Sequence, residues 1–271
     1  MKHKINLSDY FQRIGYTQSA KADLETLAEL QKSHLNTIPF ESINPLLGLA
    51  VDLDLKALEQ KLIYDRRGGY CFEQNLYFLH VLKQLGFTAR GLTGRVIIRK
   101  PLSHITPRSH MLVLVELDGK EYICDVGFGG QTVSGPLLLN IEHPQKTPHE
   151  DYRILQVEKG YLMQAKIKEE WVNLYVFDKN TQYLIDYQVA NWYTSTHPNS
   201  HFTKTLIAAK TGEKCRYNLQ NNELTIHYLN KNSEKMVLQN PEEILNCLQD
   251  IFNLDLSNLP SLLPRIREVL E

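Results

Sequence analysis

Over the first 86 residues the apolar positions recur at helical spacing. Leu24, Leu27, Ala28 and Leu35 share one stripe, and Pro39 must follow that helix rather than continue it. Asp9 and Gln12 suggest a capping box for a short helix stopped by Gly15, and Asp54 caps a third with Leu55, Leu58 and Leu62 inward. Ile38-Pro39-Phe40-Glu41 reads as a turn carrying an exposed aromatic and an acid. Residues 72–85 are apolar nearly all round, which predicts a buried helix ending at Gly86. From Thr88 the period becomes two, and 95–98, 110–117 and 121–128 read as strands. Asp118-Gly119 between the last two signals a type I′ hairpin. Both faces of that hairpin are apolar, so the sheet is closed or covered on both sides. Residues 152–157 and 161–167 form a second hairpin pattern, continued by 171–177. A short helix is predicted over 181–194, then short strands near 206, 215–219 and 224–229. Asn240-Pro241-Glu242-Glu243 starts a helix with cap, first-turn proline and Glu in capping-box position, running to about Phe252, and a short helix closes the chain.

Composition narrows the function classes. With 271 residues, 42% hydrophobic, 23% charged and a net charge of -1, the chain reads as one large domain or two to three subdomains, without a nucleic-acid footprint. No apolar run is long enough to cross a bilayer and no secretory leader is evident, which points to the cytoplasm. Cys71, Cys124, Cys215 and Cys247 form no CxxC pair, so neither a disulfide framework nor a zinc site is expected.

The candidate chemistry starts at Arg66-Arg67-Gly68-Gly69-Tyr70-Cys71. Two glycines allow a tight turn, and the helix that follows places the Cys71 thiol in its first turn, where unpaired amides and the dipole favour a thiolate. Taken alone, Cys71 reads more readily as a buried packing cysteine that caps a helix. A cysteine nucleophile needs a base, and the base an orienting group. With a two-residue loop at Asp118-Gly119, Leu117 faces Lys120 and Leu112 faces Asp125. His110 and Asp125 are then diagonal neighbours on one face, roughly 7–8 Å apart along the backbone and within side-chain reach. A one-residue slip would separate them. Gly127-Phe128-Gly129-Gly130 follows at once. It could present amides to an anion, but it lacks the residues of a Walker A loop and is no GxGxxG. Glu41 and Arg67 could pair and lock the turn before Cys71. His104, His143 and His149 sit in loops and carry no signal.

Arg67-Gly68-Gly69-Tyr70-Cys71-Phe72-Glu73, Ser109-His110-Met111-Leu112 and Asp125-Val126-Gly127-Phe128-Gly129, in this order and spacing, resemble the arylamine N-acetyltransferase family, as do Ile38-Pro39-Phe40-Glu41 and Tyr10-Phe11-Gln12-Arg13-Ile14-Gly15. The resemblance implies an α+β fold with a cysteine-protease-like triad. It implies a helical domain carrying the nucleophile over 1–87, a β-barrel domain carrying the histidine and aspartate over 88–200, and an α/β lid over 201–271. It implies a Cys71, His110, Asp125 triad and a ping-pong reaction. Acetyl-coenzyme A would acetylate Cys71, and a small arylamine, hydrazine or N-hydroxyarylamine would accept the acetyl group. Gly127, Phe128, Gly129 and Gly130 would lie near the coenzyme, with Phe40, Ser109 and Phe128 at the acceptor pocket. No metal is implied. A related amide synthase, a cysteine hydrolase using the same three residues, and a binding module with a structural Cys71 are the competing readings.

Overall fold

A computed structural model describes residues 3–270. The helices are α1 (Leu7–Ile14), α2 (Leu24–Thr37), α3 (Ile43–Leu46), α4 (Leu55–Glu59, continued by a π-helical turn Gln60–Tyr64), α5 (Cys71–Gln84), α6 (Leu184–Thr196), α7 (Pro241–Asp250) and α8 (Leu262–Leu270). The strands are β1 (Phe40–Glu41), β2 (Thr88–Val96), β3 (His110–Leu117), β4 (Lys120–Cys124), β5 (Leu137–Leu138), β6 (Tyr152–Val157), β7 (Gly160–Ile167), β8 (Glu170–Phe177), β9 (Ile207–Thr211), β10 (Cys215–Gln220), β11 (Glu223–Tyr228) and β12 (Glu234–Val237). Among the described residues no helix is long and apolar enough to cross a membrane.

One antiparallel sheet runs β5-β4-β3-β2-β8-β7-β6 and curls into a nearly closed barrel. Gln145 spans the remaining gap. Its backbone pairs with Tyr152 of β6 at 2.7 and 3.0 Å, and its side-chain amide pairs with both backbone groups of Leu138 of β5 at 2.8 Å each. A single residue thus acts as the missing strand and satisfies groups a sheet edge would leave open. The second sheet, β1-β9-β10-β11-β12, recruits its edge strand from between α2 and α3.

The alternation along β3 explains why both its faces are apolar. Met111, Val113 and Val115 pack with α5 and the helices around it, whereas Leu112 and Leu114 fill the barrel with Ile123, Met163 and Phe177. The helix α5 is buried on every side between these layers, as its all-round apolar sequence predicts. A third core forms between the second sheet and α7 and α8, with Ile43 and Leu46 of α3 included.

Several local expectations change. The cap of α1 is Asn6, whose side chain accepts from the Asp9 amide, instead of an Asp9–Gln12 box; Gly15 ends the helix in the left-handed region as expected. Phe40 and Glu41 are buried, not exposed, because they pair with Ala208 and Ala209 of β9. The strand over 95–98 begins earlier, at Thr88, and that over 121–128 ends at Cys124. The Asp118-Gly119 turn has both residues at positive φ, and Leu117 pairs with Lys120, so the hairpin register is the one derived from the sequence.

Candidate active site

The turn before α5 is built by close packing. Neither Gly68 nor Gly69 takes a positive φ; Arg66 does. Gly68 is required for space instead, because a Cβ there would lie 2.1 Å from the Pro39 carbonyl oxygen. Arg67 Nε donates to Glu41 Oε1 at 3.0 Å, and Lys61 Nζ reaches Glu73 Oε1 at 2.6 Å, so a buried ion network grips both sides of the turn. Burial alone would push the Glu41 carboxyl up, but the charges of Arg67 and Lys61 hold it below its ordinary range. From inside, Gln74 Nε2 donates to the carbonyls of Gly69 at 2.7 Å and Pro39 at 3.2 Å. His34 stands behind Gln74, with Nε2 3.1 Å from Gln74 Oε1 and Nδ1 3.1 Å from the Tyr10 hydroxyl. Since Gln74 spends its amide N–H groups on carbonyls, its oxygen accepts from His34 Nε2–H. Burial keeps this imidazole neutral and pushes it down to about 3.

Cys71 opens α5 and is 5% exposed. Its Sγ lies 3.5 Å from the Ser109 carbonyl oxygen, one residue before the His110 imidazole. The Nε2 atom of that imidazole is 2.7 Å from Asp125 Oδ2, leaving Nδ1 for the thiol. Cys71, His110 and Asp125 therefore converge from a helix start, a strand start and the residue after a strand end. Burial alone would lower the His110 pKa. The Asp125 charge, with hydrogen bonds to Asp125 and Cys71, overrides it and raises the group to about 10.

The Asp125 carboxylate is saturated. Oδ1 accepts from Asn75 Nδ2 and Gly127 N at 2.9 Å each, and Oδ2 accepts from the Tyr175 hydroxyl at 3.1 Å as well as facing His110. Asn75 also donates to the Met111 carbonyl and accepts from Val126 N, tying α5 to β3 and to the loop after β4. Gln31 of α2 donates to the carbonyls of Asp125 and Val133 and so holds both ends of that loop. None of these three was found from sequence. Asn75 had a signal, since it stands one helical turn from Cys71 on the same face. Tyr175 and Gln31 lie far away in the chain and had none.

The remaining expected residues divide. The Phe128 ring stands 4.9 Å from both His110 and Tyr175, and Ser109 touches the thiol through its backbone. Phe40 lies beside Phe202, ring centroids 6.0 Å apart, and against Gly129. The glycines of the loop are demanded first by protein contacts. A Cβ on Gly127 would lie 2.7 Å from the Cys71 Cα, and one on Gly130 2.5 Å from Asn218 Oδ1. Gly129 alone has a positive φ.

The chain is similar to known proteins in both sequence and fold. A family model described as N-acetyltransferase matches residues 23–260. The arylamine N-acetyltransferase of Mycobacterium tuberculosis is 38% identical over 259 residues, covering 94% of this chain and 91% of its own. The Salmonella typhimurium protein named arylamine N-acetyltransferase / N-hydroxyarylamine O-acetyltransferase is 36% identical over 254 residues, covering 93% and 90%. Among solved structures, the M. tuberculosis arylamine N-acetyltransferase superimposes with a TM-score of 0.94 over 98% of this chain and 100% of its own. The Mycobacterium marinum enzyme in complex with CoA does so with 0.94 at 35% identity, over 97% and 99%. Sequence and fold agree over nearly the whole length, and the chain is an acyltransferase that belongs to the arylamine N-acetyltransferase family.

Proposed function

We propose that this chain acetylates arylamines, arylhydrazines and N-hydroxyarylamines by a ping-pong mechanism, with acetyl-coenzyme A as donor and Cys71, His110 and Asp125 as the catalytic triad. The observation that supports the reading is the buried 2.7 Å contact of His110 with Asp125, next to Ser109, whose carbonyl lies 3.5 Å from the Cys71 thiol. Asp125 holds the tautomer and stabilises the charged ring, Nδ1 takes the thiol proton, and the thiolate attacks the donor carbonyl. The thioester forms on Sγ, coenzyme A leaves as a thiol carrying the proton, and donor and product thioesters are close in energy. The first-turn amides of α5, which have no partner within the helix, would serve the developing oxyanion.

Acetylation then changes the base. Two of the influences that raise His110 come from Cys71, a hydrogen bond and a charge. Once the sulfur is acylated both are lost, and the imidazole becomes a readier acceptor of the proton from the attacking amine. The loop from Gly127 to Gly130 lies beside the nucleophile as the coenzyme contact, and Phe128 and Phe40 supply aromatic surface for a flat acceptor. Intact-mass measurement after incubation with acetyl-coenzyme A tests the reading. One acetyl adduct, mapped to Cys71 and discharged by an added arylamine, is expected. A folded, reduced protein that gains no adduct overturns it.

A further inference from the structure

A cavity of about 850 Å³ opens on the barrel beside the loop of residues 98–108, and its walls contain none of Cys71, His110 or Asp125. Its size falls in the range that encloses a drug-sized molecule. The floor is apolar, with Ile97 and Val176, and two apolar side chains of the loop, Leu102 and Ile105, stand at the rim 50% and 82% exposed. Three cations, Arg95, Arg108 and Lys159, face two carboxylates, Glu158 and Asp178. Arg108 takes Asp178 as its partner and also donates to Thr93 Oγ1. Arg95 donates to the Thr106 carbonyl, and among the described residues no carboxylate lies at ion-pairing distance from it. A guanidinium has five N–H donors, so most of those on Arg95 are left for something else.

The wall is a built one. Thr106 Oγ1 donates to the Val96 carbonyl at 2.9 Å, Lys100 N to Ile97 at 2.9 Å, and Asn173 Nδ2 to the Lys100 carbonyl at 2.9 Å. The loop leads without interruption into Ser109 and His110. The strand β2 separates the cavity from the triad: Gly94, which pairs with His110, turns toward Tyr175, while the neighbouring Arg95 pairs with Val176 and turns to the other face.

We infer that this cavity is a second small-molecule site, separate from the acyl-transfer centre, that binds an organic anion with a flat apolar body. The anionic group sits on the free edge of the Arg95 guanidinium with Lys159 opposite, and the apolar body covers Val176, Leu102 and Ile105. Carboxylate, sulfonate and phosphate heads share this chemistry.

The test is calorimetric titration of the full chain, without acetyl-coenzyme A, using 2-naphthoate as probe and 2-naphthamide as its uncharged counterpart. The measurement does not depend on acetyl transfer, so it can fail while the acetyltransferase reading stands. Saturable naphthoate binding is expected, weakened about tenfold or more in Arg95→Gln and for the amide, as loss of a charge-assisted hydrogen bond requires. Lys159→Gln, on an exposed turn, guards against a folding defect in the first variant and should weaken binding in the same direction. Arg90→Gln, which lies outside the cavity on the same strand, should bind as the wild type does. Absence of saturable binding, or equal affinity in wild type, Arg95→Gln and Lys159→Gln, overturns the proposal. So does naphthoate protecting Cys71 from iodoacetamide with an affinity that Arg95→Gln leaves unchanged, since the anion would then sit at the triad.

Discussion

Replacing Asp125 by Asn separates the charge of the carboxylate from its shape. Oδ1 is pinned by two donors, Asn75 Nδ2 and Gly127 N, both at 2.9 Å. The amide oxygen must take that position, and the new NH2 group falls where Oδ2 was, against His110 Nε2 and the Tyr175 hydroxyl. The tyrosine can turn to accept. The imidazole must accept as well, which moves its proton to Nδ1, the nitrogen left for Cys71. A neutral ring in that tautomer cannot take the thiol proton. The Asp125 charge is also the foremost influence raising His110, so without it burial dominates and the ring stays neutral near pH 7. In a serine protease the equivalent change leaves geometry intact and costs about 10⁴ in rate through the wrong tautomer. A loss of similar order, roughly 10³ to 10⁴, is expected in acetylation of Cys71 here. Stopped-flow acetyl transfer and the rate of iodoacetamide alkylation between acid and alkaline pH measure it, with circular dichroism as the check on folding. A folded Asp125→Asn protein alkylated at neutral pH as fast as wild type would refute the reasoning.

Tyr175→Phe keeps the ring against His110 and Phe128 but removes one donor to a charged group. It should cost about 1.5–3 kcal/mol, read as a lowered urea midpoint, and an unchanged midpoint would contradict the assigned bond. Gln145→Ala deletes both side-chain bonds across the barrel seam, so a loss of about 1–3 kcal/mol is expected in the same assay, and no loss would mean the seam is closed without it. His34 has a folded pKa of about 3, below its ordinary value of 6.5, so the unfolded chain binds a proton first as pH falls. Its stabilising contribution is present above pH 6.5 and is lost toward pH 3 at about 1.4 kcal/mol per pH unit, so His34→Gln should flatten the stability profile below pH 6.5. A profile with the wild-type slope would show that His34 is already charged in the folded protein. His110 has the opposite sign. Its raised pKa contributes stability fully below pH 6.5 that disappears as pH climbs through about 10, and His110→Gln should lose stability at pH 6 but little above pH 10, measured by urea unfolding at each pH.

The strand arithmetic of the hairpin was legible because a two-residue turn leaves one register, and that register put His110 and Asp125 on a common face. The helix starting at Cys71, buried on all sides, was equally plain from apolar residues at every angle. These are local properties, carried by spacing and turn chemistry. The exposed reading of Phe40 and Glu41 failed because their partners, Ala208 and Ala209, lie more than 160 residues away in β9. Closure of the barrel by Gln145 joins two strands that no turn connects. Besides the His110 contact within the hairpin, the bonds that fill Asp125 come from a helix, the following loop and a distant strand. The chain alone therefore determined which residues are candidates for the chemistry and which two share a strand pair. The tertiary fold decided that Cys71 comes beside Ser109 and Gly127, and which buried donors surround Asp125, because unsatisfied polar groups in a closed core must be paired by whatever packs against them.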